Sequence, residues 1–277
     1  MKTLVAGMQT MVAGNGRTLE WAVTFTRSDA QVFRFTSAAK DATISANLYA
    51  SQPGFSVSSI TSTLGYVVDT LEMTVLTNDD MTIADFLAGR WDGCEVTFDQ
   101  YDWTTVANGF IPWPKYRVAE IQPIQGGFVL ELRDMRQLML QDYTRNSAKT
   151  CPYRLGDTRC AKVLTSFTHS FTVTGVTSRS IFTCSGLAQA TDYFSNGQVT
   201  FVDGLYAGLP LLVRAHTTGG VLTLAVPLVE DIVVAQTGTI IAGCLKRFEE
   251  DCRVKYNNAL NFGGQKDLPS TETLVGQ

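Results

Sequence analysis

The chain is poor in histidine, with two in 277 residues. His169 lies in a run of strand character and His216 beside a glycine turn, and neither has a serine or cysteine nucleophile with a supporting acid nearby in sequence. No Gly-x-Ser-x-Gly elbow, phosphate loop or dinucleotide fingerprint is present. Enzyme chemistry is therefore not expected. A basic excess is also missing: the net charge is −4, which argues against a dedicated nucleic-acid face and predicts no specific nucleic-acid partner. No stretch approaches the ~20 apolar residues of a membrane-spanning helix. The first residues, Met1–Gln9, lack the long apolar run and small-residue cleavage site of a signal peptide. That predicts synthesis in the cytoplasm, with thiols reduced. Six cysteines are too few for a disulfide scaffold in a chain of this length. Repeats and low-complexity tracts are absent as well.

What is present is a folded composition, 45% apolar and 17% charged, on a chain long enough for two domains. Strand patterns dominate. Leu19, Trp21, Val23 and Phe25 alternate through 18–26, and Gln31–Ser37 reads as the hairpin partner. Further strands are expected at Thr43–Ala50, Gly54–Thr63, Val67–Leu76, Glu95–Trp103, Tyr116–Pro123 and Gly127–Leu132, the last two joined by a turn at Gln125–Gly127. Short helices are expected at 3–13 and Thr82–Gly89, the second capped by Asn78-Asp79-Asp80, and a longer one at Arg133–Asn146 with a core stripe of Met135, Leu138, Met139 and Tyr143. Cys94 and Cys184 fall on apolar strand faces and read as buried packing residues.

The other four cysteines form two pairs, Cys151 with Cys160 and Cys244 with Cys252, separated by 83 residues. Within the intervening region, about 163–243, six short strands are expected: Phe167–Gly175, Ser180–Gly186, Gln198–Phe201, Pro210–His216, Gly220–Pro227 and Asp231–Ala242. Six strands of this length suit a small barrel or compact sandwich. The fold class is thus mainly β: two β-rich domains with a few short helices, 1–150 and 151–277, joined at a four-cysteine hinge. A helix near Lys246–Lys255 and an irregular tail close the chain.

Thiolates sharing one metal or cluster must lie within a few ångströms of each other. Eight residues of helix rise about 12 Å, so each pair must fold back on itself. Leu155-Gly156-Asp157 supplies a turn for the first pair, and Gly243 a flexible approach to the second. Gaps of eight and seven residues are wider than the usual zinc spacing. Arg154, Arg159, Lys162, Lys246, Arg247, Arg253 and Lys255 place seven of the 22 basic residues in two twelve-residue stretches, where even spreading gives about two. Asp157, Glu249, Glu250 and Asp251 offset them only in part, the last three reading as a solvated helix face. A locally basic site leans toward an anionic guest such as an iron–sulfur cluster; zinc, or no guest, remains open on these grounds.

Three segments carry a family resemblance: Leu155-Gly156-Asp157-Thr158-Arg159-Cys160, Gly243-Cys244-Leu245-Lys246-Arg247-Phe248 with Cys252, and the closing Tyr256, Asn258, Asn261, Phe262 and Gly264. The Trp21 strand, Phe35-Thr36 and Ala88–Gly93 fit more loosely. The chain resembles the hub, or tail-tip, proteins of long-tailed phages and gene transfer agents. The resemblance implies a structural virion protein in a trimeric ring below the tail tube, with the distal tail protein and central fibre or receptor-binding proteins as partners. It also implies a [4Fe–4S] cluster on Cys151, Cys160, Cys244 and Cys252. The alternatives are a tail-associated carbohydrate-binding or cell-wall-degrading protein, and a zinc-clipped interaction domain.

Overall fold

The computed structural model describes residues 5–14, 18–60, 68–140 and 147–268. The fold is mainly β with short helices, and the chain divides into two compact units, Met1–Asp142 and Tyr143–Gln277.

In the first unit, the helix expected at 3–13 is α1 (Ala6–Ala13), which buries only Met8. A seven-stranded antiparallel sheet follows. Its strands are β1 (Leu19–Thr26), β2 (Val32–Thr36), β5 (Phe55–Val57), β6 (Thr70–Leu76), β7 (Glu95–Asp102), β8 (Phe110–Ile124) and β9 (Gly127–Asp134), in the order β2-β1-β7-β8-β9-β6-β5. The alternation in β1 puts Val23 and Phe25 into a core with Met73, Val75, Phe98 and Leu130. The opposite face of the strand sends Ala22 to a second cluster with Ile44, Tyr49 and Tyr101. Trp91 is fully buried, stacked on Phe86 at 5.1 Å and edge-on to Phe25 at 5.7 Å.

Several expectations are corrected here. Thr43–Ala50 is not one strand but a hairpin, β3 (Ala42–Ile44) and β4 (Asn47–Tyr49). Its two turn residues, Ser45 and Ala46, have φ of 48° and 63°, the left-handed values of a two-residue hairpin turn. Of Gly54–Thr63 only β5 is strand, and residues 61–67 lie outside the described residues. β8 starts six residues before the expected Tyr116 and carries Pro112 and Pro114, accommodated by a register shift opposite Thr97–Asp99. Helix α2 (Ile83–Leu87) is capped by Thr82, whose Oγ1 accepts from the Asp85 amide at 3.1 Å. Asn78 instead closes the preceding turn, accepting from the Asp80 and Met81 amides.

The helix expected over Arg133–Asn146 does not form over 133–140, and 141–146 lie outside the described residues. Arg133 and Asp134 belong to β9, and a short 3-10 turn, Met135–Leu140, follows. The Asp134 carboxylate takes the Arg136 amide and Nε at 3.2 and 2.6 Å, and Arg136 also bonds Asp69, which bends the chain away from a helical path. The proposed apolar stripe is not a core: none of Met135–Leu140 is buried, Met139 is 68% exposed, and Tyr143 lies outside the described residues.

In the second unit a strand forms within each of the six expected ranges: β10 (Thr168–Val176), β11 (Ile181–Ser185), β12 (Gln198–Phe201), β13 (Leu211–Thr217), β14 (Val221–Leu224) and β15 (Thr237–Ile241), the last two shorter than expected because 225–227 and 231–236 are not strand. They close a barrel in the order β10-β11-β14-β13-β12-β15, with β15 pairing both β12 and β10. Buried residues alternate along the strands except in β13, where a register shift between Val213 and Ala215 sets the buried Val213 and His216 three residues apart, and Phe171, Phe182 and Phe201 meet one another at 5.8 to 6.4 Å. Cys184 is buried in β11 and Cys94 just before β7; burial pushes each thiol up to about 12, so both are packing residues as expected.

Candidate metal centre

The first cysteine stretch folds back where the sequence places its turn. Gly156 adopts φ 80°, a left-handed value that favours glycine, and the Asp157 amide donates to the Arg154 carbonyl at 3.1 Å. The Asp157 carboxylate then collects three amides: Arg154 at 3.0 Å, Arg159 at 3.0 Å and Cys160 at 2.6 Å. One carboxylate thus sets the path of the chain into Cys160. The Cys151 amide donates to the Lys246 carbonyl at 2.9 Å and so joins the two cysteine stretches.

The second stretch turns through a π-type helix, Phe248–Lys255. The Cys252 amide reaches back five residues to the Arg247 carbonyl, and Tyr256 to that of Asp251. Asp251 is not part of a solvated face: it is buried and takes both the Arg247 amide and its Nε at 3.1 Å. Glu249 and Glu250 do face solvent, Glu249 paired with Arg253. Gly243 serves close approach rather than flexibility: a Cβ there would lie 1.6 Å from the Ser195 carbonyl oxygen.

The segment after this helix completes the centre. Asn258 Nδ2 donates to the Cys160 carbonyl at 2.7 Å and lies 3.6 Å from its Sγ, while Asn261 Nδ2 donates to Asn258 Oδ1 at 2.8 Å. Phe262 packs edge-on to Phe248 at 5.1 Å, and the Gly263 amide donates to Cys151 Sγ at 3.4 Å. Composition and spacing give Asn258 and Gly263 no role; only the family-like closing pattern draws attention to this stretch.

Cys151, Cys160, Cys244 and Cys252 all line one pocket, walled further by Tyr153, Lys246 and Asn258. All four are free thiols. Burial, then the charges of Cys151, Cys160 and Cys244, push Cys252 up to about 11. Burial also raises Cys244, against the opposing pull of the Lys246 amide and charge. Among the described residues no three His, Cys, Asp or Glu side chains stand close enough to hold a single metal ion. The donor set itself, four soft sulfurs with amide groups aimed at two of them, fits thiolate-ligated iron or zinc.

The basic residues are largely engaged in the scaffold. Lys246 Nζ donates to the Tyr153 carbonyl; Lys255 Nζ donates to Tyr193 and Gly243 carbonyls at 2.6 and 2.7 Å; Arg159 lies over the Tyr153 ring and Lys162 over Phe167. Arg247 and Lys246 line the pocket itself. Among the described residues neither histidine ring has a hydrogen bond to a serine or cysteine side chain. Ser195 Oγ donates to Asp192 at 2.8 Å and accepts the backbone amide of His216, not its ring. His169 Nδ1 is instead 3.2 Å from Gln189 Nε2.

Residues 5–163, more than half of the chain, match the family described as baseplate hub protein, N-terminal attachment domain. Residues 192–272, which include Cys244, Cys252 and the closing segment, match phage conserved hypothetical protein BR0599. No curated protein matches the chain. A solved chain described as the virion of native gene transfer agent (GTA) particle is 26% identical with a TM-score of 0.87, over 98% of this chain and 94% of that one. The chain belongs to the baseplate hub protein family.

Proposed function

We propose that this chain is the hub of a tail-tip baseplate, joining the tail tube to the central fibre, and that Cys151, Cys160, Cys244 and Cys252 hold a structural [4Fe–4S] cluster. Family membership and the likeness to a gene transfer agent particle put the chain in a virion tail as a structural component. The finer reading rests on one observation: cysteines from both sides of the barrel, before β10 and after β15, line a single pocket.

Bound there, a cluster would supply four iron–thiolate bonds between the two ends of the barrel's chain. The effect is a cross-link, which removes loop entropy from the unfolded chain by an amount on the order of a few kcal/mol. In a cluster each cysteine binds a different iron, whereas four thiolates on one zinc would be only roughly 3.8 Å apart. The preference for a cluster over zinc rests on the wide gaps of eight and seven residues within the two cysteine pairs and on the basic Lys246 and Arg247 lining the pocket. Such a cross-link would hold the two ends of the barrel in the same relation in every copy, as a closed ring of subunits requires; a homotrimer is the expected assembly, contacting the distal tail protein and the central fibre proteins. The role is mechanical, without turnover, consistent with a Ser195 hydroxyl tied to Asp192 rather than to an imidazole.

The test is iron, zinc and acid-labile sulfide per chain on protein purified without oxygen. About four irons and four sulfides, lost in Cys160→Ser and Cys252→Ser, are expected. One zinc without sulfide would leave the cross-link but replace its chemistry. No metal would remove the centre from the function altogether.

A further inference from the structure

Resting on the cluster reading, we propose that Tyr256–Gly264 forms the outer shell of the cysteine centre, with Asn258 the positioning residue that orients Cys160 and hydrogen-bonds the ligand sulfur without ligating metal itself.

Asn258 reaches cysteines of both stretches. Its side chain bonds the Cys160 carbonyl and approaches that sulfur. Its own amide donates to the Cys252 carbonyl at 2.7 Å, and its carbonyl lies 3.2 Å from Cys252 Sγ. The side-chain orientation is fixed: Asn261 Nδ2 donates to Asn258 Oδ1, so the NH2 group is the end that must face Cys160. Gly263 adds a third contact, its amide to Cys151 Sγ, and it comes this near because it lacks a side chain, since a Cβ would lie 2.4 Å from the Tyr153 ring. Three of the four cysteines are therefore touched by one nine-residue segment 98 to 112 residues downstream of the first pair. N–H donors to thiolate sulfur stabilise the more negative, reduced form of a cluster and hold the ligand in place. A segment serving only to cover the pocket would need neither an oriented amide nor a backbone donor at a sulfur.

The experiment compares wild type, Asn258→Ala and the isosteric Asn258→Asp, each loaded without oxygen. It measures iron loss to a chelator and the midpoint potential by spectroscopic titration. Both variants should assemble the cluster, lose iron about ten- to a hundredfold more readily, and shift to a more negative potential. Asn258→Asp should shift further, because it places an acceptor against sulfur. A lower melting temperature with unchanged potential and iron retention overturns the proposal, leaving Asn258 a packing residue. Should these variants not fold, Asn261→Ala removes only the orienting bond: a smaller shift in the same direction supports the assignment, and none overturns it. If wild type itself yields zinc without sulfide, or no metal, the cluster reading fails and this inference with it.

Discussion

The Tyr256 hydroxyl stands 2.6 Å from the carbonyl oxygen of Gly243 and 3.0 Å from that of Ala242, tying the end of the π-type helix to the chain as it leaves β15. Tyr256 is nearly fully buried, and burial drives its hydroxyl pKa up, so it stays protonated and donating. Tyr256→Phe should lower stability by about 1–2 kcal/mol, at the low end of the cost of an orphaned buried group, because Lys255 still donates to Gly243. Urea unfolding of the two proteins measures the difference.

Gly243→Ala should be far more damaging. The added carbon would meet backbone, the Ser195 carbonyl, which has no rotamer to give. A loss of roughly 3 kcal/mol or more is expected, at the upper end of overpacking costs. Gly175→Ala, with nothing within 4 Å of the new atom, is the control and should unfold near the wild-type midpoint.

Asp157→Ala removes the acceptor of three amides in the loop that delivers Cys160. It should cost about 1–2 kcal/mol. The iron content of the proposed cluster should fall with it, whereas Asp157→Asn should be intermediate, since the amide keeps one acceptor oxygen. Denaturation and iron analysis on the same preparations check both.

His216 gives the barrel a pH dependence of definite sign. It is 1% exposed, makes no well-aligned ring hydrogen bond among the described residues, and packs edge-on to Phe194 at 4.9 Å. Burial lowers its pKa below the ordinary 6.5; Lys255 pushes the same way, and the Ala190 backbone and Asp192 offset this only in part. The unfolded chain therefore takes up a proton that the folded barrel refuses. This contribution is full above about pH 6.5 and is lost as the pH falls toward the folded value. His216→Phe should flatten the stability profile in that window, read from melting temperatures between about pH 7 and 5.

The barrel was legible in the sequence because its alternation is local: Phe171 with Val173, Phe182 with Cys184, and Val199 with Phe201 mark the inward face whatever surrounds them. The turn at Leu155-Gly156-Asp157 was legible for the same reason, glycine at a left-handed position beside an Asp that can bind its own neighbours' amides. What escaped depends on distant partners. Arg133–Asn146 has helical spacing, but pairing of Arg133 with Thr70 and Arg117 and the Asp134–Arg136–Asp69 bonds decide its path. Gly243 reads as flexible until Ser195 is placed against it. Asp251 sits in an acidic run and only its return to Arg247 sets it apart. At the cysteine pocket the cysteines announce themselves, whereas Asn258 and Gly263 act through contacts that no spacing rule encodes.

The barrel closes on itself, β15 bonding both β12 and β10. Every one of its six strands therefore has a neighbour on each side, and none offers a ladder of idle amides to another molecule. In the crowding of an assembled particle, this part of the chain offers no strand edge to which another chain could add. Whatever grips it must do so through side chains and loop tips, surfaces that can diverge between lineages while the backbone scaffold stays the same.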